Sequence, residues 1–390
     1  MTFPRVVMLC QFGQPVRGVS PYGDALLSAL RNEAGDSIQA VDYYAPYPAV
    51  LHPAGRDIPA GPGKLHWSNP LSWYRVASLD TDILHMQHWV APMAVYLAPL
   101  ATMARHRDKR ILITCHNPSA HETFPGMEFI ENRLLNQADA IIAHDTRGAG
   151  ILEKRVDTTK HCVHIIPHGI EISEAPPAAA PDDYERFGLV PERRYICIFG
   201  NLRGYKGIDI LLEAWPDVCR QSPDIDLVIA GRLWSGKTGT GSRVTARLLG
   251  TEGEGGRLHE LLARPEIAGR VHLHDAFQSE RNINALLRLS AFAVFPYVRF
   301  SSQSGAACKA AGMGCPVLVS DVGGLPDLAI SREWIVPPGN VEKLASTLTA
   351  RLVDIEKKED LRMQQLRQAE QFSWPRVARL HADIYRKLCE

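Results

Sequence analysis

Phe295-Pro-Tyr-Val-Arg-Phe-Ser-Ser-Gln-Ser-Gly-Ala-Ala-Cys-Lys-Ala-Ala-Gly-Met-Gly-Cys-Pro-Val-Leu-Val-Ser-Asp-Val-Gly-Gly-Leu-Pro-Asp327 reads, in order, as a strand end, a loop, a helix of small residues, a second strand and a glycine turn. Ser301, Ser302, Gln303, Ser304 and Gly305 lead into the helix from Ala306 to Ala311. Backbone N–H groups without intrahelical partners, and the positive end of the helix dipole, would face a ligand there. Phosphate is the guest such a helix start suits. A plainer reading makes Ser302 a helix cap and Gly323-Gly324 a turn. The rest of the chain decides between them.

The same rhythm runs both ways from this stretch. Short apolar runs recur at 5–11, 38–44, 83–88, 111–116, 140–144 and 163–167, and again at 195–200, 227–231, 271–274, 291–296 and 316–321, separated by segments long enough for helices. That alternation predicts parallel sheets built from βαβ units. Between the two series lies Ile170-Glu-Ile-Ser-Glu-Ala-Pro-Pro-Ala-Ala-Ala-Pro-Asp182, a proline- and alanine-rich stretch without periodicity that reads as a linker. The expected division is a first domain over 1–172, a second over 183–371, and a closing helix over 372–390 that packs back on the first. A chain of 390 residues is long enough for two cores, and two domains imply a cleft.

Forty-three basic and forty-three acidic residues cancel, so nothing favours a nucleic acid partner. The eight cysteines show no CxxC pair and read as reduced thiols, and no run of apolar residues is long enough to span a bilayer; a cytoplasmic protein is expected. Ala91–Met103 is apolar and ends in Arg105-His-Arg-Asp-Lys-Arg110. A buried helix with a solvated basic end is preferred there over peripheral contact with anionic lipid at the inner membrane face. Asp80-Thr-Asp82 has the form of a metal-binding string but leads straight into a strand and is read as a turn; no metal site is expected. Ser235-Gly-Lys-Thr-Gly-Thr-Gly-Ser242 does not fit a phosphate loop and reads as an insertion.

Three further loops carry chemistry. Strand 195–200 runs into Asn201-Leu-Arg-Gly-Tyr-Lys-Gly207, which places Arg203 and Lys206 at a strand's carboxyl end, where open α/β sheets bind ligands. A guanidinium beside an ammonium suits a diphosphate. Strand 111–115 delivers His116-Asn-Pro-Ser-Ala-His-Glu122 to the corresponding edge of the first domain. Phe12-Gly-Gln-Pro-Val-Arg-Gly-Val-Ser-Pro-Tyr-Gly23 enters a helix through Ser20 and Pro21, and Gly13 and Gly18 allow close backbone approach.

This combination resembles family 4 of the nucleotide-sugar glycosyltransferases, whose fold, GT-B, sets two Rossmann-like doubly wound parallel-sheet domains across a cleft. The resemblance is carried by Gly200–Gly207 before Leu211-Leu-Glu-Ala214, by Val228-Ile-Ala-Gly231, by Gly314-Cys-Pro-Val with Asp321-Val-Gly-Gly-Leu-Pro326, by Ile166-Pro-His-Gly-Ile-Glu171 and by Ser373-Trp374. It implies a retaining, metal-independent transferase that moves a sugar from a nucleoside diphosphate, UDP- or GDP-linked, to a glycan, lipid-linked or small-molecule acceptor. No cofactor beyond the nucleotide sugar is implied. Arg203, Lys206 and His116 would be catalytic. Gly13, Gly18, Asn201, Gly231, Arg232, Ser301, Gln303, Ser304, Gly305 and Lys309 would join the two cations around the donor, and Arg17, His88, His121 and Glu122 would meet the acceptor.

One departure stands out. Family members carry two glutamates around the serine loop, and Ser301 and Lys309 occupy those positions here. Lysine cannot accept hydrogen bonds from ribose hydroxyls, so either the nucleotide is held differently or Lys309 contacts phosphate. The departure also motivates an alternative, a non-catalytic relative that binds or regulates. A Rossmann oxidoreductase is disfavoured because neither early strand is followed by GxGxxG.

Overall fold

The computed structural model describes residues 3–13, 20–45, 65–119, 126–159, 161–173, 179–233, 254–354 and 358–390. Arg17, Gly18, His121, Glu122 and the Ser235–Ser242 insertion lie outside them.

The chain forms two compact units, Met1–Gly169 with Phe372–Glu390, and Ile170–Gln371. The first holds β1 (Val6–Cys10), β2 (Ile38–Ala45), β3 (Leu65–His66), β4 (Ile83–His88), β5 (Arg110–Cys115), β6 (Ala140–Ala143) and β7 (Cys162–Ile165). The second holds β8 (Arg194–Phe199), β9 (Ile225–Ala230), β10 (Val271–His274), β11 (Ser290–Phe295), β12 (Val317–Ser320) and β13 (Ile335–Val336). Every pairing is parallel, in the orders β3-β2-β1-β4-β5-β6-β7 and β10-β9-β8-β11-β12-β13. Both are doubly wound, Rossmann-like sheets. The strand order reverses between β1 and β4 in one and between β8 and β11 in the other, and such a reversal opens a crevice at the carboxyl ends of the two strands.

Central strands are buried on both faces, which is why they read as continuous apolar runs rather than alternating ones. In the first unit strand parity sorts the side chains. Val7, Leu9, Leu84, Met86, Ile113 and Ile141 meet the helix Ala94–Arg105 on one face, and Val6, Met8, Ile83, Leu112 and Ile142 meet the helices Ser20–Ala34 and Trp374–Cys389 on the other. The stripe Leu211, Leu212, Trp215 and Val218 is fully buried in the second unit, as its three- and four-residue spacing requires.

The closing helix, Trp374–Cys389, belongs to the first unit and packs on Ser20–Ala34. Its buried residues include Val377, Ile384 and Tyr385, with Pro375 in its first turn. Helix Ala94–Arg105 buries Tyr96, Leu97, Leu100 and Ala101, and its basic end is paired at home: Arg105 and Arg110 both reach Asp139, at 3.2 and 3.3 Å. Asp80 and Asp82 lie before β4, at the amino edge of the sheet, and both bind the Arg5 guanidinium. Among the described residues no helix is long and apolar enough to cross a membrane.

Gly169 sits face-on to the indole of Trp374, so that a Cβ there would overlap the ring. Gly169→Ala should therefore force the closing helix off its seat and cost about 1–3 kcal/mol, the usual range for overpacking. Chemical denaturation monitored by tryptophan fluorescence checks this; an unchanged midpoint would mean the helix is held elsewhere.

Candidate functional site

In the second unit two loops meet at the crevice between β8 and β11. The first leaves β8 at Gly200 and is tied to the loop after β9 by Leu202 N–H to Arg232 O at 3.0 Å, while Gly231 packs so tightly against Gly200 that a side chain there would collide with its carbonyl. It then makes a single turn, Gly204–Lys206, closed by Gly207 at φ 67°. The second loop leaves β11 at Pro296. Val298 N–H donates to Tyr205 O at 2.9 Å, and Tyr205 stacks on Phe300 with centroids 6.0 Å apart. The glycine turn braces it from behind, Gly324 N–H donating to Ser302 O at 3.0 Å.

The serine loop ends in a capped helix. Ser304, not Ser302, is the cap: its hydroxyl lies 3.4 Å from Ala307 N and 3.0 Å from the Tyr297 hydroxyl, and Cys308 N–H bonds Ser304 O at 2.8 Å. The amides of Gly305 and Ala306 stand outside the intrahelical ladder, as the first helical N–H groups must. Ser301, Ser302, Gln303 and Ser304 are all buried.

Lys206 is the decisive side chain. It is 6% exposed, and no ion pair is found for it among the described residues. Its Nζ lies over the Tyr297 ring, 5.4 Å from the centroid. Burial pushes the ammonium pKa down; Tyr205 opposes that and Arg203 adds to it, with no carboxylate of the described residues among the charges acting on it. A Cβ placed on Gly200 would lie 3.2 Å from Lys206 Nζ and 3.6 Å from Ala306 Cβ, so the ammonium and the first turn of the capped helix border one small space. A buried cation with no counter-charge among the described residues, beside a helix amino terminus, makes an anion cradle.

The other expected donor residues divide. Arg203, half-buried, begins the Lys206 turn, and Asn201 and Arg232 are exposed beside it. Lys309, one turn into the capped helix, already has a partner in Glu280 at 2.8 Å. Gly13 has open space where a side chain would be, but its N–H is held by the Asp24 carboxylate at 3.0 Å.

In the first unit His116 is 8% exposed and belongs to a hydrogen-bond chain that crosses three strands. His85 and Gln87 share one face of β4, Thr114 and His116 follow the same parity on β5, and His144 follows it beyond β6. His144 Nδ1 is 3.0 Å from Ile166 O, His144 Nε2 is 2.9 Å from His116 Nδ1, and His116 Nε2 is 2.8 Å from the Gln87 carboxamide. The other terminal atom of that amide is 3.0 Å from His85 Nε2, and His85 Nδ1 is 2.8 Å from the Tyr385 hydroxyl.

Ile166 O only accepts, so His144 carries its proton on Nδ1 and accepts at Nε2 from His116 Nδ1–H. His116 Nε2 must then accept, which the Gln87 amide satisfies by presenting its N–H to His116 and its oxygen to His85. Every ring stays neutral in this arrangement. Both His116 nitrogens are thereby engaged, so the ring acts as part of a rigid sheet edge and not as a group open to a sugar hydroxyl. His88, on the opposite parity, is fully buried with Nε2 3.4 Å from Glu131. That burial removes it from the residues able to meet an acceptor.

The sequence gives no sign of Tyr22, whose ring packs edge-on to His116 at 4.7 Å and against Trp374 at 5.3 Å. Nor does it signal Gln87 or His144, whose roles arise only when strand register places them side by side.

Two family models match the chain, "Glycosyltransferase Family 4" over residues 25–174 and "Glycosyl transferases group 1" over residues 193–354. The chain is a family 4 glycosyltransferase. Among relatives of this transferase, the D-inositol 3-phosphate glycosyltransferase of Jonesia denitrificans is 27% identical over 330 residues, covering 78% of this chain and 72% of that one. Its counterpart in Nocardiopsis dassonvillei is 24% identical over 78% of this chain and 70% of its own. Sucrose-phosphate synthase from Thermosynechococcus elongatus superposes with a TM-score of 0.71 at 17% identity over 99% of both chains. HepE of Anabaena, solved with UDP-glucose, superposes at 0.68 and 16% identity, over 98% of this chain and 99% of that one. The glycosyltransferase therefore has the GT-B fold, and its two units correspond to that fold's two Rossmann-like domains.

Five buried histidines, His85, His88, His116, His144 and His381, and the half-buried His168 have pKa values lowered first by desolvation, His144 to about 3 and His381 to about 4. In the unfolded chain these groups take up protons near pH 6.5, whereas in the fold they do so only at lower pH. Stability is therefore complete above about pH 6.5 and falls as pH drops below it, by up to about 1.4 kcal/mol per pH unit for each ring still neutral. Urea denaturation at pH 7.5 and pH 5 should show a lower midpoint at pH 5; equal midpoints would contradict the neutral network.

Proposed function

We propose that this transferase takes its sugar from a nucleoside diphosphate, retains configuration at the anomeric carbon and uses protein cations instead of a metal ion to stabilise the leaving group. The observation that carries this reading is the buried ammonium of Lys206 beside the capped helix, with no ion-pair partner among the described residues. As the bond from the anomeric carbon to the leaving oxygen breaks, negative charge grows on the departing diphosphate. Lys206, Arg203 and the Gly305 and Ala306 amides meet that charge from fixed positions, and such preorganised donors count most in the transition state. Ser301, Gln303 and Ser304 line the same loop and can offer both donors and acceptors to the donor sugar.

UDP-glucose in HepE supports a nucleotide-sugar donor. Retention rests on the family resemblance. The names of the relatives favour a phosphorylated polyol as the acceptor, bound at the first unit's sheet edge around Gly13 and His116. His116 is a positioning residue in this scheme, because its nitrogens are spent on Gln87 and His144. Peripheral membrane contact is not part of the reading, since the basic end of helix Ala94–Arg105 is paired with Asp139. A cytoplasmic setting is, since all eight cysteines are free thiols.

The test is to titrate UDP and GDP into the protein, then follow nucleotide release from UDP- and GDP-hexoses with inositol 3-phosphate as acceptor, reading the anomeric configuration of the product by NMR. Lys206→Ala and Arg203→Ala should each lower turnover roughly a hundredfold or more, as loss of a transition-state donor does. Near-normal turnover in both variants, or no nucleotide binding by the wild type, would overturn the proposal.

A further inference from the structure

Lys309 and Glu280 form a pair that the anion cradle leaves unexplained. Glu280 is the first residue of the helix Glu280–Leu289, which enters β11, and Ser279 caps that helix through Asn282 N–H at 3.2 Å, fixing the Glu280 backbone. Lys309 lies four residues after Gly305 on the capped helix, hence on the same face and about 6 Å further along the axis. Its ammonium is 2.8 Å from one Glu280 oxygen. Glu280 is nonetheless 73% exposed at its side chain, and Lys309 28%. One carboxylate oxygen is thus oriented by a lysine of the capped helix, while most of the Glu280 side chain stays open to solvent.

In a nucleoside diphosphate the ribose hydroxyls lie beyond the inner phosphate, across the exocyclic carbon and the furanose ring, on the side toward which a residue further along the capped helix would reach. A vicinal diol has two O–H donors and suits a carboxylate, whereas a lysine can offer it nothing to accept. We propose that Glu280, steered by Lys309, accepts the ribose hydroxyls of the bound nucleotide and so determines that the donor is a ribonucleotide. The inference rests on the donor reading given above and extends it to the part of the nucleotide that Lys206 does not touch. The Lys309 contact also holds Glu280 ionised, pulling its pKa below the ordinary glutamate value. An ionised carboxylate is the stronger acceptor.

Calorimetry with UDP, GDP and their 2′-deoxy counterparts tests this on the full chain. The wild type should bind the ribonucleotide at least about tenfold more tightly than the deoxynucleotide, as expected when a charged acceptor loses its hydroxyl donors. Glu280→Ala should bind both equally, with the loss confined to the ribonucleotide. Lys309→Met should narrow the preference while leaving deoxynucleotide affinity unchanged. A Glu280→Ala protein that melts like the wild type yet keeps the full preference would overturn the inference while leaving the donor reading intact. Failure of the wild type to bind either ribonucleotide would overturn both.

Discussion

A buried ammonium is costly, and Lys206, with no ion-pair partner among the described residues, is held in that state by nearly everything around the crevice of the second unit. The doubly wound order opens the gap between β8 and β11. Gly200, Gly207 and Gly231 bring the backbone close enough to leave room for a long cation. Tyr297 gives the ammonium an aromatic face and fixes the Ser304 cap through its hydroxyl. The fold gives up stability here so that an anion can restore it, which is the usual relation between a binding site and its scaffold.

The two units use their polar interiors differently. In the second, a cation is left uncompensated at the carboxyl edge of the sheet, while at the opposite edge the buried Asp226 is fully satisfied by Arg193, Arg270 and His272. In the first unit the corresponding carboxyl edge holds the buried Asp145, one of whose oxygens accepts from Gly148 N–H at 2.9 Å. The edge also carries neutral histidines whose donors and acceptors are matched from Ile166 to Tyr385. One edge holds a buried cation ready for an anion; the other is stiffened by a hydrogen-bonded histidine network.

Much of this was legible in the sequence because central parallel strands must be apolar throughout, and their rhythm with helical segments can be counted. The strands it concealed, Leu65–His66 and Ile335–Val336, are two-residue edge elements with no periodicity of their own. Arg203 and Lys206 could be placed at a strand end from their position in a loop, but the burial of Lys206 could not, since it depends on Tyr297 and Ala306 roughly ninety to a hundred residues away. His116 was visible as a strand-end histidine, whereas its partners Gln87 and His144 follow from register across β4, β5 and β6. Neither reading of Lys309, a differently held nucleotide or a phosphate contact, brought in Glu280, for the same reason: the pair is made by two helices that the sequence separates.

The return of helix Trp374–Cys389 to the first unit sets an order on biosynthesis. Residues Ile170–Gln371 are contiguous, so the second unit has its whole sequence outside the ribosome before the first does. Until the last segment emerges, the groove along helix Ser20–Ala34, the His85 ring and the face of Gly169 lack the side chains that cover them. The half of the protein made first is thus the half completed last, and its unfinished apolar seam is what a nascent chain would present to chaperones.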